Sequence, residues 1–266
     1  MNKIDIKIKK VMGRGEKLLS CLLPLGDPDL KTSINLVEVY LKAGVDIVEL
    51  GMPSQNPYLD SRQIAESNQR SFQAQPNLLK YFDTMVTIRK NFPDEPFEVM
   101  TYADSVKACG LSRFVDGLKE ADIDAHLLAD STVISPDLVK DMDALLNPLS
   151  IYRIRFMPHP FRENLLDDIG KNGSGFMILQ SMADPLGQRT RVAEGNQDLI
   201  ARLRATKTQA GILLAYGINN PQRAEEALNL GPDGILVGSA MVDGIAAGNY
   251  TALANLIRGI KAVTLQ

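Results

Sequence analysis

The chain has 266 residues, 45% of them hydrophobic and 23% charged, and a net charge of −3 at pH 7. That balance supplies no basic field for nucleic acid, and no apolar run approaches the ~20 residues that span a bilayer. Two cysteines and two histidines are too few for a disulfide framework or a His-based metal site, so no metal is expected.

The N-terminus, MNKIDIKIKK, is charged and lacks the apolar segment of a signal peptide. Cys21 and Cys109 sit in apolar settings and read as reduced thiols of a cytoplasmic protein. From there a strand followed by a helix recurs along the chain. A first strand at 18–25 ends at Gly26-Asp27-Pro28, and Thr32 or Ser33 caps a helix that stops at Gly44. A second strand at 46–51 is followed by helices at 61–72 and 77–91. A third strand at 97–102 leads to a helix at 105–121, broken near Gly110. Further strands are predicted at 125–129, 151–157, 175–180, 211–215 and 234–237. Helices follow at Ser135-Pro136, 163–171, 197–206, Asn220-Pro221 and 251–263. Eight strand-helix units without a composition break argue for one domain, residues 1–266, folded as a single (β/α)8 TIM barrel. A doubly wound sheet is the structural alternative, but the first βα turn, GDPDLKTS, lacks the GxGxxG of a dinucleotide site.

The second strand holds the most informative residue. Val45, Ile47, Val48 and Leu50 make it apolar, as a strand covered on both faces must be. Glu49 interrupts it near the C-terminal end, where barrel active sites lie. A charge there is costly to bury unless it is paired or doing chemistry. Eleven residues on, Asp60 ends a Pro-bounded loop, and the two are the candidate chemical pair. Each has a plainer alternative. Glu49 would be structural if paired with Arg153 or Arg155, and Asp60 would be a helix cap. Gly238-Ser239 would be an ordinary turn, and Tyr102 and Tyr216 core residues. His126 alternates with Leu127 and is expected to face the helix layer as a satisfied structural histidine.

LPLGDPDLKTS, AGVDIVELGMPSQNPYLD, MTYAD, LLAD, AYGINNPQRAEEAL and GILVGSAMV resemble, in order and spacing, the tryptophan synthase alpha subunit family. The likeness covers roughly 18–242 and implies a (β/α)8 barrel. The reaction it implies is retro-aldol cleavage of indole-3-glycerol phosphate to indole and glyceraldehyde 3-phosphate, without cofactor. By position, the resemblance makes Glu49 and Asp60 catalytic. Leu22, Met100, Tyr102, Leu127, Ala129 and Ile178 then fall in the substrate pocket, with Gly187 in the loop that orders over substrate. Tyr216-Gly217 and Gly238-Ser239 fall at the phosphate end. The partner implied is a tryptophan synthase beta subunit.

The chemistry suits these residues. One carboxylic acid can shuttle both protons of the cleavage if burial raises its pKa, and a second, ionised carboxylate can stabilise the cationic indole. Backbone N–H groups at Gly238, Ser239 and Ala240 would hold the phosphate. No strand end carries the lysine of a Schiff-base aldolase. Three departures stand out. The loop after Glu49 reads PSQNPYLDSR where the family has about PFSDPLADGP, and in the family that loop meets the beta subunit. The loop after strand six has Leu186 where a threonine is expected, with Arg189 and Arg191 nearby as an alternative anion clamp. Leu22 and Ile178 replace aromatic pocket residues. These departures keep two alternatives open: a diverged barrel lyase on another phosphorylated substrate, and a weakly active partner of a beta subunit.

Overall fold

The computed structural model describes residues 1–161, 163–181, 195–215 and 217–266. Eight parallel strands close in chain order into a barrel: β1 (Leu18–Pro24), β2 (Ile47–Gly51), β3 (Phe97–Thr101), β4 (Ala125–Leu128), β5 (Tyr152–Met157), β6 (Phe176–Gln180), β7 (Gly211–Ala215) and β8 (Gly234–Val237). All eight overlap the strands predicted from sequence, with ends that shift by at most a residue or two. The TIM barrel expected from the strand-helix alternation is therefore the fold observed.

Helix α1 (Lys3–Met12) precedes the barrel and was not anticipated. Its signal is the spacing of Ile4, Ile8 and Val11, which form one face among many charges. Ile4 and Val11 are buried against Leu18, Phe176 and the rest of the barrel interior. The Asn2 side chain donates to the carbonyls of Asp124 and Ser150, so α1 closes the end at which the strands begin. The outer layer holds α2 (Leu30–Ala43), α3 (Arg62–Ala74), α4 (Leu79–Asn91), α5 (Ala103–Cys109), α6 (Leu111–Glu120), α7 (Pro136–Leu146), α8 (Asn164–Asn172), α9 (Gly195–Ala205), α10 (Pro221–Leu228), α11 (Ser239–Ala246) and α12 (Tyr250–Thr264). Among the described residues no helix is long and apolar enough to cross a membrane.

The cap of α2 differs from expectation. Asp29, not Thr32 or Ser33, is the capping residue, and its Oδ1 accepts from the Thr32 amide at 2.7 Å. Ser33 instead accepts from the Gly26 amide at 2.9 Å and so ties the turn after β1 to the helix. The expected break falls at Gly110, whose φ of +80° separates α5 from α6. α10 starts at Asn220-Pro221 as predicted, with Asn220 as its cap, accepting from the Arg223 amide.

Three acidic residues at strand starts set the register. Asp46 accepts from the Leu19 amide at 2.9 Å and from Lys261 Nζ at 2.6 Å. Asp124 does the same for the Phe97 amide and Arg89, and Asp233 for the Ile212 amide and Arg204. Each carboxylate thus joins two neighbouring strands to a helix and is itself satisfied, as a buried charge must be. One close approach is equally specific. A methyl group at Gly234 would lie 2.4 Å from the Leu18 carbonyl oxygen, which the β1–β8 ladder holds in place. Gly234→Ala is expected to destabilise the barrel by about 1–3 kcal/mol, read as a lower urea midpoint at unchanged m-value.

Candidate active site

A cavity of about 500 Å³ opens at the C-terminal end of the barrel. Its floor is apolar because inward positions of successive strands carry Leu22, Met100, Leu127, Phe156, Ile178 and Leu236. Glu49 and Asp60 both face it, as do Tyr102, Ala129, Gly217, Gly238 and Ser239. Every candidate site residue within the described residues therefore lies in one place. Gly187 and Tyr216 lie outside them, as do Leu186, Arg189 and Arg191. Sequence reading missed Phe156, Ala215 and Leu236, although each continues an inward period-2 alternation. It also missed Ser61, Gln63, Ile64, His159, Gln180, Ser181, Ile218, Asn219 and Asp243, which line the cavity. Most of these sit on loops or loop-proximal turns, where no periodic pattern marks an inward position.

Glu49 is 3% exposed, between Leu22 on β1 and Glu98 on β3. The arginines that offered it a structural pairing are engaged elsewhere. Arg153 pairs with Asp143, and Arg155 binds Asp168 at 3.1 Å, both on the outer face of the barrel. Burial, with the Asp60 charge added, pushes the Glu49 carboxyl up to about 8. Asp60 is half-buried with one carboxylate oxygen shut off from solvent. Burial raises it to about 6, against the opposing pull of the Tyr102 hydroxyl. Between those values Asp60 is charged while Glu49 holds its proton.

The loop that carries Asp60 is held by two carboxylates. Asp104 accepts from Ser54 Oγ at 2.8 Å and from the Gln55 amide at 3.0 Å. Asp130 accepts from the Ala103 amide at 3.1 Å and the Tyr58 hydroxyl at 3.3 Å, and the Tyr58 ring packs on Tyr102. Asp60 does not cap the next helix. The residue at the start of α3 is Ser61, and its Oγ lies 3.0 Å from Ser239 Oγ. The same helix clamps the turn after β1. Arg70 forms a two-pronged pair with Asp27, and Ser67 donates to it. A planar guanidinium matches a carboxylate at both oxygens, which fixes orientation as well as distance.

The part of the cavity lined by β8 and α11 presents a helix start. α11 begins there, and its first amides, at Ser239 and Ala240, have no partner in an earlier helical turn. A methyl group at Gly238 would project among Ile64 and Leu22 at ordinary contact distances of 3.8 and 3.9 Å. Packing therefore does not demand glycine there, and the open space is cavity. Gly217, with φ +77°, follows the neighbouring strand β7 and contributes backbone beside the start of α11. Among the described lining residues there is no lysine or arginine, and the helix-terminal amides stand beside the neutral donors of Ser61, Gln63, Asn219 and Ser239.

His126 faces the helix layer as expected, its ring edge on Phe114. Nε2 meets Thr101 Oγ1 at 2.8 Å, and Nδ1 has no partner among the described residues. Burial, reinforced by the Arg153 charge, lowers it to about 3, so it is neutral.

The family model described as "Tryptophan synthase alpha chain" matches residues 8–263. The tryptophan synthase alpha chain of Caldanaerobacter subterraneus subsp. tengcongensis is 30% identical over 251 residues, spanning 93% of this chain and 92% of that one. That of Alkaliphilus metalliredigens is 29% identical, spanning 93% and 91%. Among solved structures, one from Aquifex aeolicus superposes with a TM-score of 0.88 at 23% identity over 99% of both chains. Tryptophan synthase subunit alpha from Legionella pneumophila gives 0.87 at 20% identity, over 99% of this chain and 98% of that one. At those identities the likeness speaks for the fold.

Proposed function

The chain belongs to the tryptophan synthase alpha chain family, and from that premise we propose that it cleaves indole-3-glycerol phosphate with Glu49 and Asp60 as its acid-base and electrostatic groups. The observation that carries this reading is the split in proton affinity between two carboxyls in one cavity. Glu49 is held up to about 8 and Asp60 at about 6. Divergent carboxyl environments of this kind assign an acid and an anion.

The substrate lies with its indole among Met100, Leu127 and Ile178 and its phosphate at the first amides of α11. Glu49 gives its proton to the indole carbon that bears the side chain. The ring nitrogen becomes cationic, and the Asp60 carboxylate stabilises it. The Glu49 carboxylate then takes the proton of the neighbouring side-chain hydroxyl. The O–H electron pair becomes the aldehyde C=O, the carbon–carbon bond breaks, and its electrons return to the ring. Indole and glyceraldehyde 3-phosphate result, and Glu49 is again protonated. Each proton leaves and returns through one side chain, so no cofactor enters the balance.

The family reading also brings a tryptophan synthase beta subunit as partner and a cytoplasmic setting. The changed loop after β2 is anchored within the chain by Asp104 and Asp130, which leaves coupling to that subunit to be measured. Two carboxyls in one cavity speak against a merely structural partner, and the reading keeps all of residues 1–266 as one barrel domain.

Indole release from indole-3-glycerol phosphate by the purified chain, alone and with a beta subunit, tests the proposal. Glu49-dependent indole is the expected result, and its absence in both conditions would sink the reading. The pH profile is a second check. kcat/KM is expected to rise through about pH 6 as Asp60 ionises and to fall through about pH 8 as Glu49 loses its proton. A flat profile between pH 5 and 9 at full activity would contradict the role of both groups.

A further inference from the structure

The barrel interior holds a second buried glutamate. Glu98 is fully buried, and neither oxygen of its carboxyl has a hydrogen-bond partner among the described residues. It stands directly opposite Glu49 in the β2–β3 register, with Gly51 opposite Met100 two residues on. It alternates with Met100 and Tyr102, so it points inward, one layer below the cavity lining. Neighbouring strands lie about 4.8 Å apart, a gap that two glutamate side chains bridge easily.

Among the described residues, the strands on either side bring Glu98 neither a cation nor a hydrogen-bond donor. Leu22 flanks Glu49 on β1, and Ala125 flanks Glu98 on β4. Beyond Ala125 lies Tyr152 of β5, whose hydroxyl is held by Asp5 at 2.6 Å. Asp60 and Tyr102 face Glu49 from the cavity side. His126 of β4 and the arginines of β5 belong to the outer face, the latter bound to Asp143 and Asp168. Cys21, beside Leu22, belongs to the layer between strands and helices. A buried carboxyl with neither cation nor donor is tolerated only as the neutral acid. Burial, reinforced by the charge of Glu49, holds Glu98 well above the usual carboxylate range. It therefore keeps one O–H, and the acceptor that register places beside it is Glu49.

We propose that Glu98 is a positioning residue for Glu49: it stays protonated and donates its O–H to the Glu49 carboxylate after that group has given its proton to the substrate. In the resting enzyme both carboxyls are neutral and no such bond is needed. Once Glu49 ionises, the bond steadies its charge and holds the oxygen that collects the second proton. The inference rests on Glu49 as the proton carrier.

Two variants test it. Glu98→Leu removes the donor, and Glu98→Gln restores one through its amide. Leu is expected to lower kcat roughly ten- to a hundredfold, the worth of one hydrogen bond to a charged group, with KM little changed. It is also expected to move the ionisation of Glu49 upward by about one pH unit or more, because the anion has lost its donor. Gln is expected to recover most of kcat and to return the ionisation toward its original pH. The ionisation is read by carbon-13 NMR of carboxyl-labelled glutamate, without substrate. Leu also removes a buried, unsatisfied carboxyl, so its urea midpoint is expected to rise and lost activity is not lost fold. A Leu variant with unchanged kcat and titration would overturn the proposal. So would a Gln variant as impaired as Leu, or a downward shift of Glu49 in Leu, which would mean that Glu98 had been charged. If the unmodified chain releases no indole, the substrate reading fails, and the NMR titration still decides the pairing.

Discussion

Glu49→Gln is expected to lower kcat for indole release by roughly a thousandfold or more, the upper part of the range for a positioned acid-base group. The amide has nearly the shape of the carboxylic acid but no transferable proton. Both proton transfers pass through this one side chain, so no partial route survives its loss. Substrate affinity is expected to change little, since the apolar floor and the α11 amides are untouched. The same variant carries a stability signature. Burial raises Glu49 from 4.5 to about 8, so the folded state holds this proton more tightly than the unfolded chain does. The stabilisation is fully present below the unfolded value of 4.5 and is lost as pH rises through about 8. Glu49→Gln removes that loss. At pH 9 the variant is expected to exceed the parent by a few kcal/mol in urea unfolding, and at pH 4 the two should nearly coincide. A variant that keeps a tenth of the activity, or that is less stable than the parent at pH 9, would count against the buried-acid assignment.

Asp60→Asn is expected to reduce kcat by roughly a hundred- to a thousandfold, in line with removal of one preorganised electrostatic group. Its role is to meet charge that develops on the indole nitrogen, so the loss should fall on kcat more than on KM. The acid limb of the pH profile, near 6, should disappear with it. The alkaline limb should move down, because the Asp60 charge helps to hold the Glu49 proton in place. Asp60 is not a helix cap, and Ser61 occupies that position. Burial raises Asp60 from 3.8 to about 6, so above pH 6 the uncharged amide is expected to raise the melting temperature rather than lower it, which separates a catalytic loss from a structural one. Unchanged kcat with a clear drop in melting temperature would instead make Asp60 a structural residue.

The barrel and its two carboxyls were legible in the residues because they rest on local patterns. Short apolar runs such as 211–215 and 234–237 have the length and composition of covered strands, and their ends match the structure. A charge inside an apolar strand is conspicuous, so Glu49 was found. Glu98 has the same property, yet it was passed over. Its strand reads FEVMTY, where a glutamate at the second position looks like an edge charge until register puts it opposite Glu49. Helix α1 escaped for a related reason. Its lysines dominate the composition, and only its docking on the strand starts shows why Ile4 and Val11 must be apolar.

The alternation of eight strands with helices, the apolar pocket positions and the residue types able to do the chemistry are all written along the chain. These follow from backbone periodicity and from the cost of placing charge among apolar side chains, both of which act along the chain. Which charges are paired and which are not depends on the closed barrel. Arg153 and Arg155 turn outward to Asp143 and Asp168, so neither pairs with Glu49. The ordering of proton affinities in Glu49 and Asp60, and the facing pair of Glu49 and Glu98, are likewise tertiary. The reason is that desolvation and charge coupling depend on distance through space, and barrel closure brings together residues that the chain keeps tens of positions apart.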